Sequence, residues 1–456
     1  MGAGAAGVAA AGTLSKMNIT DFVVLDAQPF VGGRVQHVQF GNYHVELGAN
    51  WIYGKGENPI YRLAMQHGLK TAPSDKSNVT FFNHHGTVSS HIGKPIYEAF
   101  EKVMKDLVDY AGQRMRQNRV DLSGRAALSL LGWRPDTPLK AAVEYFAVDW
   151  ELAEPAEVSS LDYATGTIDM VAGSYPAGNE FVIDDRGFNY ILQQESKKFL
   201  KHNDSRLMLD TRITDIFYDD QNVTVVTDNG HRIVADYAIC TFSLGVLQND
   251  DVKFHPPFPE WKREALLSFH MTTYTKIFLR FDTKFWGDWQ NLNAPGYLDN
   301  LEYILMVTTT YKESERIERM ADAGVQHEIM QVLRRMFGPS VPEPSEILIP
   351  RWHSNPLFRG SYSNWPIGAF GKHHQNMRAP LGNIPRLWFA GEATSEEQYG
   401  FFHGAWLEGI SIAKKVTDCL QRKCPQHLYD EFVTGCEGNS SMRWGNTVRF
   451  YNQAGM

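Results

Sequence analysis

The chain begins Met1-Gly2-Ala3-Gly4-Ala5-Ala6-Gly7, a G-x-G-x-x-G spacing, and continues into Val8-Ala9-Ala10-Ala11, which has helix composition. Such a loop can hold a pyrophosphate. Gly2 would make a tight turn, Gly4 would let the backbone approach the phosphates, and Gly7 would let the helix pack on a sheet. The N–H groups of the helix N-terminus would then face the anion. The spacing alone is weak, because Ala/Gly-rich helix starts produce it by chance. Two further features follow in the right order. Phe22-Val23-Val24-Leu25 is an apolar run ending in Asp26, about 20 residues past the loop, where an acid accepts hydrogen bonds from adenosine ribose hydroxyls. Gly32-Gly33-Arg34 then sets a cation and flexible backbone beside the same phosphates. A separate candidate is Lys276. In Tyr274-Thr275-Lys276-Ile277-Phe278-Leu279 the strand alternation puts Tyr274, Lys276 and Phe278 on one face. That pattern does not favour an exposed lysine, and a buried lysine is rare without a partner or a function.

The elements that must position these groups are legible in outline. A strand should precede a dinucleotide loop, and only Met1 does so here. The expectation is that the first, central strand is missing from the chain as written, which leaves its neighbours' backbone groups unpaired and the protein poorly soluble or free of cofactor. Residues 96–155 read as mainly helical. Phe100, Val103, Met104, Leu107, Val108 and Ala111 form one apolar stripe, and Leu139, Ala142, Val143 and Phe146 form another. Val223–Thr227, a turn at Asp228-Asn229-Gly230 and a run over Arg232–Ala238 predict a hairpin. Tyr274–Phe281 and Ile304–Thr309 read as strands, Val325–Phe337 as a helix, and Leu387–Ala390 as a strand entering Gly391-Glu392. A last helix opens at Gly404-Ala405. The fold class is α/β (α+β overall): a Rossmann-like cofactor domain interleaved with a substrate domain of mixed sheet plus helices. Residues 1–75, 196–250 and 376–420 form the cofactor domain, 76–195 a mainly helical part, 251–375 a sheet with helices, and 421–456 a tail.

Composition narrows the partners. With 456 residues, 43% hydrophobic and 21% charged, the chain is an ordinary globular protein of more than one domain. No apolar run spans a bilayer. A net charge of −8 argues against nucleic acid and is compatible with a cationic substrate. Four cysteines are too few for a disulfide scaffold. Cys240 reads as a core residue, and any pairing among Cys419, Cys424 and Cys436 leaves one over. No spacing predicts a metal site. N-x-S/T sequons at Asn18, Asn78, Asn203, Asn222 and Asn439 tilt slightly toward a secreted chain, with no signal peptide visible.

Taken in order, the segments resemble the flavin-containing amine oxidases, with the polyamine oxidases as the nearest pattern. The resemblance rests on Gly2–Gly7, Gly32-Gly33-Arg34, Glu46-Leu47-Gly48-Ala49-Asn50-Trp51 and Ser243-Leu244-Gly245-Val246-Leu247. It continues through Tyr274-Thr275-Lys276, Ser363-Asn364-Trp365-Pro366, Gly391-Glu392-Ala393-Thr394-Ser395 and Gly404-Ala405-Trp406-Leu407-Glu408-Gly409. It implies FAD, held at one end by Gly2, Gly4, Gly7, Asp26, Gly33 and Arg34. Ile213 would flank the adenine. Gly391 and Glu392 would serve the ribityl chain, and the Gly404-Ala405 helix start would face the flavin pyrimidine. It further implies that Lys276 holds a water at flavin N5 and that Tyr362 and Phe401 flank an amine, with Tyr274 on the lysine's face. The reaction would be oxidation of spermine, spermidine or acetylated forms by a monomer, with O2 consumed, the imine hydrolysed and H2O2 released. Oxidation of other primary or secondary amines is the alternative, as is a catalytically impaired homologue. The sequence departs from the polyamine oxidase pattern in places. Tyr53 stands where a tunnel glutamate is usual, His353 replaces a tryptophan and Phe401 a tyrosine, while Glu151 keeps a second acidic position. The segment around 285–289 is shorter than the family's by about one strand and its turn.

Overall fold

The computed structural model describes residues 1–74, 79–83, 86–167, 175, 178–286 and 303–424. The shortened stretch after Phe285 and the C-terminal tail lie largely outside these residues, as do two of the sequons, Asn78 and Asn439.

Short parallel strands form one layer of the molecule. Val24–Leu25 pairs with Leu207–Met208, and Ala238–Cys240 pairs with Leu387–Phe389. The slot between the two pairs, expected to be empty, holds the first two residues. The Met1 amino group donates to Ile239 O at 2.8 Å, Thr241 N–H to Met1 O at 3.0 Å, and Gly2 N–H to Leu25 O at 2.6 Å. The expectation that residues 1–7 supply no part of the central strand is therefore corrected: Met1 and Gly2 pair with both neighbours. Gly2 can do both jobs because its φ of 110° turns the chain immediately after pairing.

Two helices lie against this layer. Ala5–Lys16 buries Ala5 through Ala11, a face with almost no side-chain volume. Phe402–Leu420 therefore comes in until a Cβ on Gly409 would sit 2.2 Å from Ala6 O. This contact joins the two ends of the described chain. Near the end of the second helix, Cys419 and Cys424 are joined by a disulfide, and Cys240 is buried and free.

The expected hairpin forms, with Val223 opposite Ala235, but its second strand stops at Ala235. The chain bends at Asp236-Tyr237, and Ala238–Cys240 joins the parallel layer instead. Ser90–Arg116 buries Phe100, Met104, Leu107 and Ala111, as its stripe predicts. The Leu139–Phe146 stripe is only partly right. Pro138–Glu144 gives way to a π-helical turn over Tyr145–Asp149, which shifts the phase. Val143 and Val148 enter the core, Ala142 is exposed, and Phe146 lines a cavity.

The other side is a three-stranded sheet in which Tyr274–Arg280 lies between Ile304–Thr310 and Glu346–Leu348. The two faces of its central strand differ. Ile277 and Leu279 pack with Val325, Ile329 and Leu333 of the helix Asp322–Phe337. Phe278 packs against Val45, Ala72 and Phe181. Lys276 shares the Phe278 face by alternation, so it points toward the segment after Tyr43–Glu46.

Candidate active site

One cavity of about 370 Å³ touches almost every predicted site residue. Gly2, Gly4, Asp26, Gly33, Arg34, Tyr53, Glu151, Ile213, Tyr274, Lys276, Tyr362, Gly391, Glu392, Phe401 and Ala405 all line it. Gly7 and Gly404 stand one step back, as packing glycines. A Cβ on Gly7 would sit 1.8 Å from Gly2 O, and one on Gly404 would sit 2.0 Å from Gln398 O.

The glycine end is a cradle of bare backbone. Gly33 has φ 62°, and a Cβ there would come within 3.0 Å of Gly4 Cα. The two loops thus meet without a side chain between them, leaving N–H groups open to an anion. Asp26 braces the loop: Oδ2 accepts from Ala3 N–H at 2.6 Å and Oδ1 from Gln28 N–H at 2.8 Å. Burial raises its carboxyl above the usual range, and these N–H bonds pull the other way. Each oxygen keeps a lone pair, so the ribose role is compatible with this bracing.

Glu392 ties the middle of the cavity together. Its Oε1 accepts from Arg34 Nη1 at 2.8 Å. Its Oε2 accepts from Ser363 Oγ at 2.6 Å and Gly400 N–H at 2.7 Å. Arg34 also donates to Ser361 O at 2.9 Å. The pair therefore locks the N-terminal cofactor loops to the late motif, beyond the expected phosphate and ribityl roles. In the neighbouring motif Asn364 donates to Glu154 and Ser159, and Trp365 is buried in the helical core. That motif holds structure more than it lines the site.

Elsewhere on the cavity wall Lys276 is 3% exposed. Its Nζ donates to Gly48 O at 2.6 Å, Glu46 O at 3.2 Å and Asn50 Oδ1 at 3.4 Å, and lies 5.4 Å from the Trp51 ring. Burial pulls its ammonium down to about 7, against the charge of Glu46. Around it stands an aromatic wall. Tyr53 and Phe401 meet edge to face at 4.7 Å, and Tyr274 and Tyr362 lie 6.1 Å apart. Tyr53 donates to Glu151 Oε2 at 3.4 Å, and Tyr362 donates to Glu151 O at 3.2 Å. Burial pushes the hydroxyls of Tyr53, Tyr274 and Tyr362 up, so they stay neutral donors. Glu151 sits in the short helix Trp150–Leu152 directly after the π-helical turn, which aims Phe146 and Trp150 at the cavity.

Several residues outside the predicted set also line the cavity. Trp150 Nε1, Asn364 Oδ1 and His403 Nε2 are buried without a hydrogen-bond partner among the described residues, and burial holds His403 down to about 4. Unpartnered buried polar atoms on a cavity wall fit a bound polar molecule. Glu397 adds a further carboxylate to those of Asp26, Glu151, Asp251 and Glu392, on an exposed residue of the lining. His353 does not line the cavity; its ring meets Thr273 Oγ1 at 3.4 Å. Among the described residues no group of side chains could hold a metal ion, and no helix is long and apolar enough to cross a membrane.

Residues 5–417 match the family described as flavin containing amine oxidoreductase. Polyamine oxidase 1 of Zea mays is 35% identical over 479 residues, covering 95% of this chain and 92% of that protein. Polyamine oxidase 7 of Oryza sativa subsp. japonica is 35% identical over 456 residues, covering 90% and 92%. Among solved structures, wild-type putrescine oxidase bound to putrescine aligns with a TM-score of 0.70 at 16% identity, covering 91% of this chain and 97% of that one. That likeness speaks for the fold.

Proposed function

Because the chain belongs to the flavin containing amine oxidoreductases, we propose that it oxidises polyamines such as spermine, spermidine or their acetylated forms. It is an FAD-dependent amine oxidase; the finer choice of substrate rests on the cavity. The glycine cradle with Asp26, Arg34 and Ile213 would hold the ADP half of FAD, and Glu392 and the Gly404-Ala405 helix start the flavin half. Bound FAD supplies an acceptor for a hydride equivalent at N5 and, once reduced, a donor to O2 that yields H2O2.

The chain's own residues do the rest. Tyr53, Tyr274, Tyr362 and Phe401 exclude bulk water and leave an apolar slot for a neutral amine. Lys276 would hold a water at the reacting end, giving or taking its proton near neutral pH, where burial places the amine. That water is then in place to hydrolyse the imine product.

The observation that carries the substrate class is Glu151, a carboxylate set beside the aromatic wall of the cavity that Lys276 lines. It can pair with a distal ammonium while the reacting nitrogen stays neutral. Tyr53, in place of a second tunnel carboxylate, favours one other reading, an oxidase of smaller amines. Peroxide release from the purified yellow protein decides between them. Polyamine oxidation predicts higher kcat/KM with spermine or spermidine than with putrescine or monoamines. Higher kcat/KM with monoamines overturns the polyamine reading and leaves amine oxidation standing. A solution mass near 51.7 kDa would support a monomer.

A further inference from the structure

The acceptors around Lys276 come from one short segment and are all uncharged: two backbone carbonyls and an amide oxygen. Three acceptors match the three N–H groups of an ammonium. A neutral amine would keep two N–H groups and expose a lone pair that can take a proton from water. The balance between these forms needs a counter-charge, and one stands next to the cage. Glu46 is 4% exposed. Its Oε1 accepts from Phe188 N–H at 2.6 Å and lies 3.4 Å from His37 Nδ1, its cross-strand partner. Its Oε2 is buried with no hydrogen-bond partner among the described residues. A buried carboxylate oxygen with no donor calls for an explanation. Here the main chain of the same residue already accepts from Lys276, and the charge of its side chain acts on the ammonium.

Resting on the reading of Lys276 as the group that serves the reacting end, we propose that Glu46 is a positioning residue: its buried carboxylate holds Lys276 in the charged form until substrate turnover needs the neutral amine. Other groups do not compete for this role. The charge of Glu46 favours the ammonium of Lys276 and opposes the effect of burial. His37 faces Glu46 from the paired strand and stacks on the exposed His44 at 4.8 Å. Thr308, opposite Lys276 in the sheet, is uncharged, and Tyr274, two residues away on its own strand, is a neutral phenol.

The test is Glu46→Gln in the FAD-loaded protein. The amide keeps an oxygen for Phe188 N–H and loses the charge. The Lys276-dependent limb of the kcat/KM pH profile should move down by about one unit or more, a tenfold change in the ionisation constant. A second readout needs no turnover. With its folded value below its unfolded one, Lys276 makes the unfolded state bind more protons above the folded value. Tm should therefore rise as pH climbs from about 7 toward the ordinary lysine range. In Glu46→Gln this rise should begin at lower pH. Glu46→Asp, which keeps the charge, should restore the wild-type onset, and Lys276→Met should abolish that component in either background. An unchanged onset in Glu46→Gln, or a shift that persists when Lys276 is Met, overturns the proposal. Unimpaired turnover in Lys276→Met would instead overturn the catalytic reading of Lys276, while the Tm curves still decide whether Glu46 controls its charge.

Discussion

Where Gly2, Gly4 and Gly33 line the cavity the wall is backbone, and around Lys276, Tyr53 and Phe401 it is side chain. The first works by having nothing in the way: Gly4 and Gly33 approach until a Cβ on Gly33 would sit only 3.0 Å from Gly4 Cα. The second works by what protrudes, with Tyr53, Glu151, Lys276, Tyr362 and Phe401 arriving from distant segments to enclose a slot. The difference teaches where each function is vulnerable. A cradle of backbone fails when volume is added, and binding is lost. A slot of side chains fails when a group is removed, and chemistry or selectivity is lost while the cofactor stays.

That contrast can be broken by mutation. Lys276→Met should have the largest effect. Flavin reduction or reoxidation should slow by ~10²–10⁴-fold, the usual cost of losing a positioned proton-transfer group, with the visible flavin spectrum still present. Stopped-flow absorbance measures both, and FAD loss in this mutant would make Lys276 part of the cradle. Gly33→Val should do the reverse. Forcing a β-branched residue into the left-handed region costs ~1–3 kcal/mol, and its Cβ also meets Gly4. FAD affinity should fall by ~10–100-fold, while turnover per bound FAD is unchanged. The ratio of flavin to protein absorbance after gel filtration checks it.

The smaller effects sharpen the amine end. Glu151→Gln should raise KM about tenfold for triamines and tetramines, consistent with ~1.5–3 kcal/mol for a hydrogen bond to a charged group, discounted for solvent. It should scarcely change KM for monoamines. Equal effects on both would make Glu151 a structural acid. Tyr362→Phe removes the hydroxyl that donates to Trp150 O and Glu151 O. A loss of ~0.5–1.5 kcal/mol should appear as a few-fold rise in KM, with FAD content intact.

What was readable in the sequence follows the same division. Gly2, Gly4, Asp26, Gly33 and Arg34 lie within a few dozen residues and line one cavity, because a turn-forming glycine loop is local backbone geometry. Lys276 was readable because strand alternation sets it on the Phe278 face. The burial of Phe100, Met104, Leu107 and Ala111 was readable from helical periodicity. The second stripe departs from its period before the π-helical turn and within it: Ala142 is already exposed in the preceding helix, and Phe146 in the turn lines the cavity. The hairpin's second strand was drawn too long because Arg232–Ala238 has uniform strand character, and the bend after Ala235 comes from competition between two sheets.

The sequence by itself determined the cofactor class, the α/β architecture and the burial of Lys276. Glycine spacing, alternation and helical period act over short stretches and need no knowledge of distant contacts. The tertiary structure alone decided that Met1 and Gly2 occupy the central slot, that Glu392 pairs with Arg34, and that Trp150, His403 and Glu397 line the cavity. It also left a carboxylate oxygen of Glu46 buried without a hydrogen-bond partner among the described residues, in the residue whose main chain accepts from Lys276. Each of these joins residues far apart in the chain, and such a pairing is fixed by how whole layers pack, which no local pattern encodes.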